Sequence, residues 1–442
     1  MRKSGYSLAA VAAVSMVLAG CSDPGNDDVA PEDTGTTTAQ WPEPTADLEG
    51  VTLTLWAAQS SNTVADQVVA AFEAETGADV EVLTIPDPYE QGVQTRVATG
   101  DLPDLAFWQP TASMLTAINA TTNLQPLDGA PWVEEFKPEL QDITGILDGT
   151  RYAALITSPA VMGVYYNKTV FADAGITEIP ADWDEMVQAA RTIDATGVTP
   201  FFEMAGDKWG TQWWVQVLLA DAAQDGLWDR INTNEEGFDD ETVVTAIAEY
   251  KSLIDEGLFN DDIATATFED EGDALLSGDA AMVVQMNALF AQLQAKADGA
   301  TLDETIGFFP ISPSANVGTS IPAQGNAVVA FATGDGTQEA AARQFLSFWL
   351  GPNYADFIED RQTVSLKSDV ETPASVPQMM LDVAGAVGSS VGSMQSLAVA
   401  NPDLYLYLAD MIQGGTMTPQ QVGDATQQQF VQLAQAQGVE GF

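Results

Sequence analysis

The chain has no histidine, and Cys21 is its only cysteine. The two absences exclude a Ser-His-Asp triad, histidine metal ligation, a disulfide framework and a catalytic cysteine within the folded part. Chemistry on a substrate would have to rest on carboxylates, on Ser/Lys or on a bound cofactor. Basic residues are also scarce, 14 Lys and Arg against 64 Asp and Glu. The first twenty residues hold Arg2, Lys3 and no acid, so the remainder carries 64 acidic against 12 basic side chains, a formal charge of −52. Such a surface repels nucleic acid and anionic lipid and leaves few cations for a phosphate or carboxylate ligand. It suits an uncharged or cationic ligand, and equally a salty habitat where screening tolerates self-repulsion. NTNEEGFDDE, from Asn232, has the composition of a calcium loop. Counting from Asn232 puts Val243 where the bidentate Glu belongs, so a solvated acidic loop is the better reading and no metal is expected.

What is present begins with a basic start and an apolar run from Leu8 to Leu18, too short to span a membrane comfortably and readable as an export signal. Leu18, Ala19, Gly20 and Cys21 resemble the lipobox of bacterial lipoproteins, in which the signal is cut before the cysteine and the thiol is lipidated. Residues 1–20 are therefore expected to be a signal peptide, with Cys21 lipid-anchored outside the cytoplasm. Residues 21–47 are rich in Asp, Pro, Thr and Gly and read as a disordered tether reaching roughly 25–30 Å.

The folded part opens with VTLTLWAA, an alternating strand, then a helix with Val64, Val68 and Phe72 on one face, then ADVEVLTI, a second helix, and GDLPDLAFWQP. Strand, helix, strand, helix, strand in under sixty residues predicts a doubly wound α/β lobe whose ligands gather at the carboxyl ends of strands. Further on, the apolar run through Ile156, Val161, Val164 and Tyr165 is broken by Ser158 and Pro159 and reads as a strand that bends midway. A short helix from Thr169 to Ala174 stops at Gly175, and Asp182 with Glu185 forms a capping box for a helix through Met186, Ala190 and Ile193. At 442 residues the chain can fill two such lobes.

YYNKTVFADAGI, a proline and DWDEMVQAARTI, together with ATGDLPDL and LLSGDAAMVV, resemble the bacterial extracellular solute-binding proteins that serve ABC sugar importers. The resemblance implies an α/β, two-lobed, periplasmic-binding-protein-like fold with hinge strands and a ligand cleft between the lobes. It divides the chain into an N-lobe of residues 48–157 and 308–363 and a C-lobe of residues 158–307 and 364–442, crossing near Ser158, near Phe308 and near Gln362 to Ser365. Carried over position by position, it nominates Trp56, Gln59, Ser60, Trp108 and Gln109 in the first lobe and Ser158 at the crossing. In the second lobe it only locates the site, because the matching region of the family is variable, and Glu203, Trp209 and Trp213 are the candidates there; past the next strand it nominates Met286 and Asn287, and on the return Gln324 and Asn326. An indole face suits the C–H face of a pyranose, and short polar side chains suit its hydroxyls. For each tryptophan, core packing is the competing explanation.

The resemblance implies a monomeric, lipid-anchored binding component with no cofactor and no catalysis, which captures a neutral mono- or oligosaccharide and hands it to permease subunits by hinge closure. Two other readings stay open: a surface-anchored glycoside hydrolase using two carboxylates, and a binder of a cationic small molecule held by tryptophan with Glu203 or Asp207. A sensor or adhesin without an importer is a third.

Overall fold

The computed structural model describes residues 41–58, 65–86, 89–322, 324–415 and 417–442. The expected signal peptide, Cys21, most of the tether, Gln59 and Ser60 lie outside the described residues, but the expected tether is too long at its C-terminal end: Trp41 packs edge-on to Trp132 at 4.7 Å and the Gln344 side chain donates to the Ala46 carbonyl at 2.7 Å, so residues 41–47 belong to the folded part. The strands, in order, are β1 (Thr52–Ala58), β2 (Asp79–Ile85), β3 (Leu105–Phe107), β4 (Ile146–Leu147), β5 (Thr150–Arg151), β6 (Ala153–Leu155) and β7 (Ala160–Asn167). They continue with β8 (Thr199–Phe201), β9 (Ala280–Gln285), β10 (Ile306–Phe309), β11 (Thr319–Ile321), β12 (Ala327–Ala330) and β13 (Val391–Gly392). The first sheet has the order β2-β1-β3-β12-β6, and the second runs β13-β11-β7-β9-β8 with β10 also paired to β7. The hairpin β4-β5 stands apart.

Alternation along each strand explains why both sheets are covered on both faces. Leu53, Leu55, Leu105, Phe107, Val328 and Ala330 face one core, while Trp56, Ala106, Trp108, Ala327 and Val329 face another with Tyr89 and Val93. In the second sheet Met162, Val164, Met282 and Val284 enter a third core with Trp214 and Phe201. The opposite face, through Val161, Tyr165, Val283 and Phe308, joins the same cluster as Leu53 and Phe107. One apolar core thus runs continuously between the two lobes.

Local chemistry fixes the elements that carry the site. Asn167 caps the helix Lys168–Asp173, Gly175 takes φ +77°, and Asp182 accepts from the Glu185 N–H at the start of the helix Trp183–Asp194, while the Glu185 carboxylate reaches back past the expected Asp182 N–H to that of Ala181 at 2.9 Å. Asp104, 6% exposed, accepts from both the N–H and the hydroxyl of Thr54 and so joins β3 to β1.

The chain leaves the first sheet through Ile156–Pro159, between β6 and β7. The return is later than Phe308. Phe308 pairs with Tyr165 in β10, Pro310 then turns the chain into β11, and β11 pairs with the near half of β7. Residues 308–321 therefore belong to the second sheet, because β7 is long enough to accept two short partners in succession on one edge. The passage back runs through 322–326 to β12. The third passage also falls later than Gln362 to Ser365. The Lys137 N–H donates to the Leu366 carbonyl at 2.8 Å, the Lys137 ammonium donates to the Ser365 carbonyl at 2.9 Å, and Phe136 bridges Lys367, which holds the segment to Lys367 on the first lobe.

Candidate functional site

Strand directions bring four strand ends to one level. β1 and β3 run parallel, and β6, like β3, is antiparallel to β12, so all three point their carboxyl ends towards the crossover after Leu155. β7 starts at that crossover, β9 is antiparallel to it and β8 is parallel to β9, so β8 and β9 also end there. The carboxyl ends of β1 and β3 in one lobe and of β8 and β9 in the other therefore converge on the hinge segments, where open α/β sheets bind ligands.

On the first lobe Tyr89 secures two of those ends. Its hydroxyl lies 2.7 Å from the Phe107 carbonyl and 3.2 Å from that of Trp56, and burial, assisted by the nearby Glu90, pushes its pKa far above the ordinary value. At the hinge, Asn326 laces two crossovers together. Its side-chain N–H groups donate to the Thr157 hydroxyl and the Ser158 carbonyl, each at 2.9 Å, and its own carbonyl accepts from the Ile156 N–H at 2.7 Å. Asn287, just after β9, accepts from the Val161 N–H at 3.1 Å and so ties the start of β7 to the end of β9.

A cavity of about 280 Å³ opens on these segments. Ser158, Met286, Asn287 and Asn326, all nominated from the sequence, line it together. Residues that sequence reasoning missed complete it: Phe290 and Gln294 from the helix Ala288–Gln294 and its C-terminal end, and Phe357, Arg361 and Thr363 from the third hinge. Among the described residues its lining contains no Asp or Glu, in a chain that has 64 of them. Arg361 had a signal in the sequence, being one of only 14 basic residues and adjacent to an expected crossing. A second cavity, of about 310 Å³, lies between Pro110–Ala112 with Asp142–Ile146 and Ser320 with Ser390–Leu397. Beside it the Ser113 hydroxyl reaches the Gln395 carbonyl at 3.5 Å, a contact from one lobe to the other.

The other nominated side chains are placed differently. Trp56 and Trp108 are core residues, 3% and 0% exposed, and the Trp108 indole N–H is used by the Met114 carbonyl at 3.0 Å. The alternation that puts Trp56 and Ala106 on one sheet face also aims these rings at Tyr89 and Val93 rather than at the cleft. Gln109 is half-buried at the end of β3. Glu203 is buried within the second lobe, where its carboxylate accepts from Tyr250 and from the Met204 N–H. Burial pushes its pKa up to about 7, against the opposing hydrogen bonds of Tyr250, Met204 and Trp214. Trp213 is buried too, edge-on to a half-buried Trp209 at 6.1 Å, and its indole N–H has no partner among the described residues. Gln324 lies in a short turn of helix and its side chain is outside the described atoms. Asp207, the other acid considered for a cation, accepts from the Phe268 N–H at 2.7 Å. Among the described residues there is no group of three or more acidic side chains suited to a metal, and no helix long and apolar enough to cross a membrane.

The profile of the bacterial extracellular solute-binding proteins matches residues 57–356, more than half of the chain. The chain belongs to this family. Members of the solute-binding family bind their substrates and do not transform them, which sets the hydrolase reading aside. Relatives include a binding protein of Brucella abortus, 28% identical over 260 residues that make up 58% of this chain and 61% of that protein. A multiple sugar-binding protein of Streptococcus mutans is 26% identical over 154 residues, 35% of this chain and 36% of that one. The chain thus aligns with about three fifths or less of the length of these two relatives. A solved chitin oligosaccharide binding protein superposes with a TM-score of 0.71 at 21% identity, covering 87% of this chain and 98% of its own, which supports the two-lobed fold.

Proposed function

We propose that this solute-binding protein captures a neutral sugar in the cavity at the crossovers and presents the closed form to the transmembrane subunits of an ABC importer. The observation that carries the reading is the composition of that cavity: hydroxyls and amides from Thr157, Ser158, Asn287 and Asn326, apolar walls, the single charged side chain of Arg361, and no carboxylate among the described residues. Amides and hydroxyls both donate and accept, as a polyol requires, and Phe290 and Phe357 offer apolar surface to its C–H faces. At about 280 Å³ the cavity is near the lower end of ligand sites, commonly about 300–1,000 Å³, which favours one sugar ring, or the end ring of a longer chain. The sugar-binding names of the Streptococcus relative and of the chitin oligosaccharide binder agree with this class.

A ligand touching Ser158 and Asn326 at the hinge and Asn287 on the second lobe stabilises the closed form through its differential affinity for it. Cys21 would carry the lipid, and the residues between it and Trp41 would let a monomeric binding domain float near the outer face of the membrane. A cationic ligand is less favoured, because the Glu203 carboxylate on which it would depend is already engaged by Tyr250 and Met204.

Thermal shifts against neutral sugars, uronic acids and quaternary amines, with product analysis, test the reading. A neutral sugar at about 100 times its Kd should add about 2.7 kcal/mol of stability and be recovered unchanged. A response only to cations, or turnover of the sugar, would overturn it.

A further inference from the structure

Two carboxylates lie in the second lobe behind the cleft wall, and binding a sugar gives neither of them a direct task. Glu203 and Glu271 are each 2% exposed. Among the described residues neither forms an ion pair. The groups that face them are Tyr250 from the helix Glu241–Glu256, Asp207 from the loop after β8, Gln285 at the end of β9, and Asp262, reached through Asn260.

Each carboxylate holds the backbone just past a strand end. Glu203 accepts from the Met204 N–H at 2.8 Å and from the Tyr250 hydroxyl at 2.5 Å. Glu271 accepts from the Gln285 side-chain amide at 2.9 Å, while the carbonyl oxygen of that same amide accepts from the Met286 N–H at 3.0 Å. The Gln285 amide nitrogen also lies 3.9 Å from the Met204 sulfur, which joins the two halves. Met204 follows β8, and Met286 follows β9 and lines the crossover cavity.

We propose that Glu203 and Glu271 form a proton-dependent positioning pair, which holds the Met204 and Met286 segments in place while the two carry no more than one negative charge between them and loosens them when both ionise. Two like charges in a dry core without a cation cannot both form cheaply, and their titrations are coupled. Burial raises Glu203 to about 7 and Glu271 well above the carboxylate range, with the Glu203 and Asp207 charges adding to the latter. The inference rests on the crossover cavity being the binding site only for its functional meaning; the coupling itself is a property of the ligand-free chain.

Amide hydrogen exchange of the full chain between about pH 5.5 and 9, corrected for the intrinsic rate, reads the two segments directly. Wild-type protection at Met204 and Met286 should fall above pH 7 by up to about tenfold per pH unit, the limit for one linked proton. Glu271→Gln and Glu203→Gln, each nearly the same shape and without a second charge, should flatten both profiles. Trp214, stacked on Tyr250 at 5.8 Å with the rings 3° from parallel, should shift its emission over the same range in wild type only. Wild-type protection that does not change with pH, or Gln variants that track the wild type, would overturn the proposal. No sugar is present in either measurement, so a failure of the sugar reading would leave these profiles unchanged.

Discussion

Tyr89 reaches two carbonyls at strand ends with one buried hydroxyl, so removing that hydroxyl takes a buried hydrogen-bond donor away from both. Tyr89→Phe should lower first-lobe stability by about 1–3 kcal/mol in denaturant unfolding, with little change in the shape of the core. Glu203 supplies a prediction in pH. Its folded pKa, about 7, lies above the ordinary 4.5, so the folded chain binds the proton more tightly than the unfolded one. The stabilisation is complete below about 4.5 and is lost as pH rises through 7, by roughly 3 kcal/mol for so buried a group. The melting midpoint should therefore fall between pH 5 and pH 8, and Glu203→Gln should flatten that slope. At this scale the sequence was informative about position and poor about exposure. Ser158, Met286, Asn287 and Asn326 line one cavity, and their place at strand ends and crossovers is readable from the sequence. Trp56 and Trp108 sit at strand ends too, yet an indole satisfies either a core or a sugar, and nothing in the sequence says that Met114 receives the Trp108 N–H.

Strand β7 is the element on which the lobes are hung. It pairs with β11 and then β10 along one edge and with β9 along the other. Gly163 sits where those partners change, and a Cβ there would lie 2.7 Å from the Phe308 ring and 2.8 Å from the Phe309 carbonyl. Gly163→Ala should cost about 1–3 kcal/mol through overpacking, read from the unfolding of the second lobe. Asn326→Ala removes the bonds to Thr157 and Ser158 that hold two crossovers together, and should weaken sugar binding by about tenfold in calorimetry and lower the stability of the free protein by about 1–2 kcal/mol. The α/β character, the capped helices and the broken strand at Ser158 were legible because caps and periodicity are local. The second and third passages were not, since a short β-rich run such as IGFF fits either sheet, and only its long-range pairing with Tyr165 assigns it.

Across the whole molecule two features set how it moves and what it tolerates. The core shared from Leu53 to Phe308 means that the proposed lobe closure would pivot around a continuous apolar cluster; separating the lobes there would expose apolar surface at about 25 cal/mol per Å². The acidic excess, 64 against 14, repels itself through water. Raising salt from about 0.1 M to about 1 M shortens the screening length from about 10 Å to about 3 Å and should raise the melting midpoint. The cavity's interior, lined without carboxylates, should show a much smaller salt effect on the affinity of a neutral sugar. A crystal structure of the protein with whichever neutral sugar gives the largest thermal shift should show density for a sugar ring at the crossovers, within hydrogen-bonding distance of Asn287 and Asn326. A sugar seated instead in the cavity between Pro110–Ala112 and Ser390–Leu397, or held by no residue of the hinge, would contradict the proposed site.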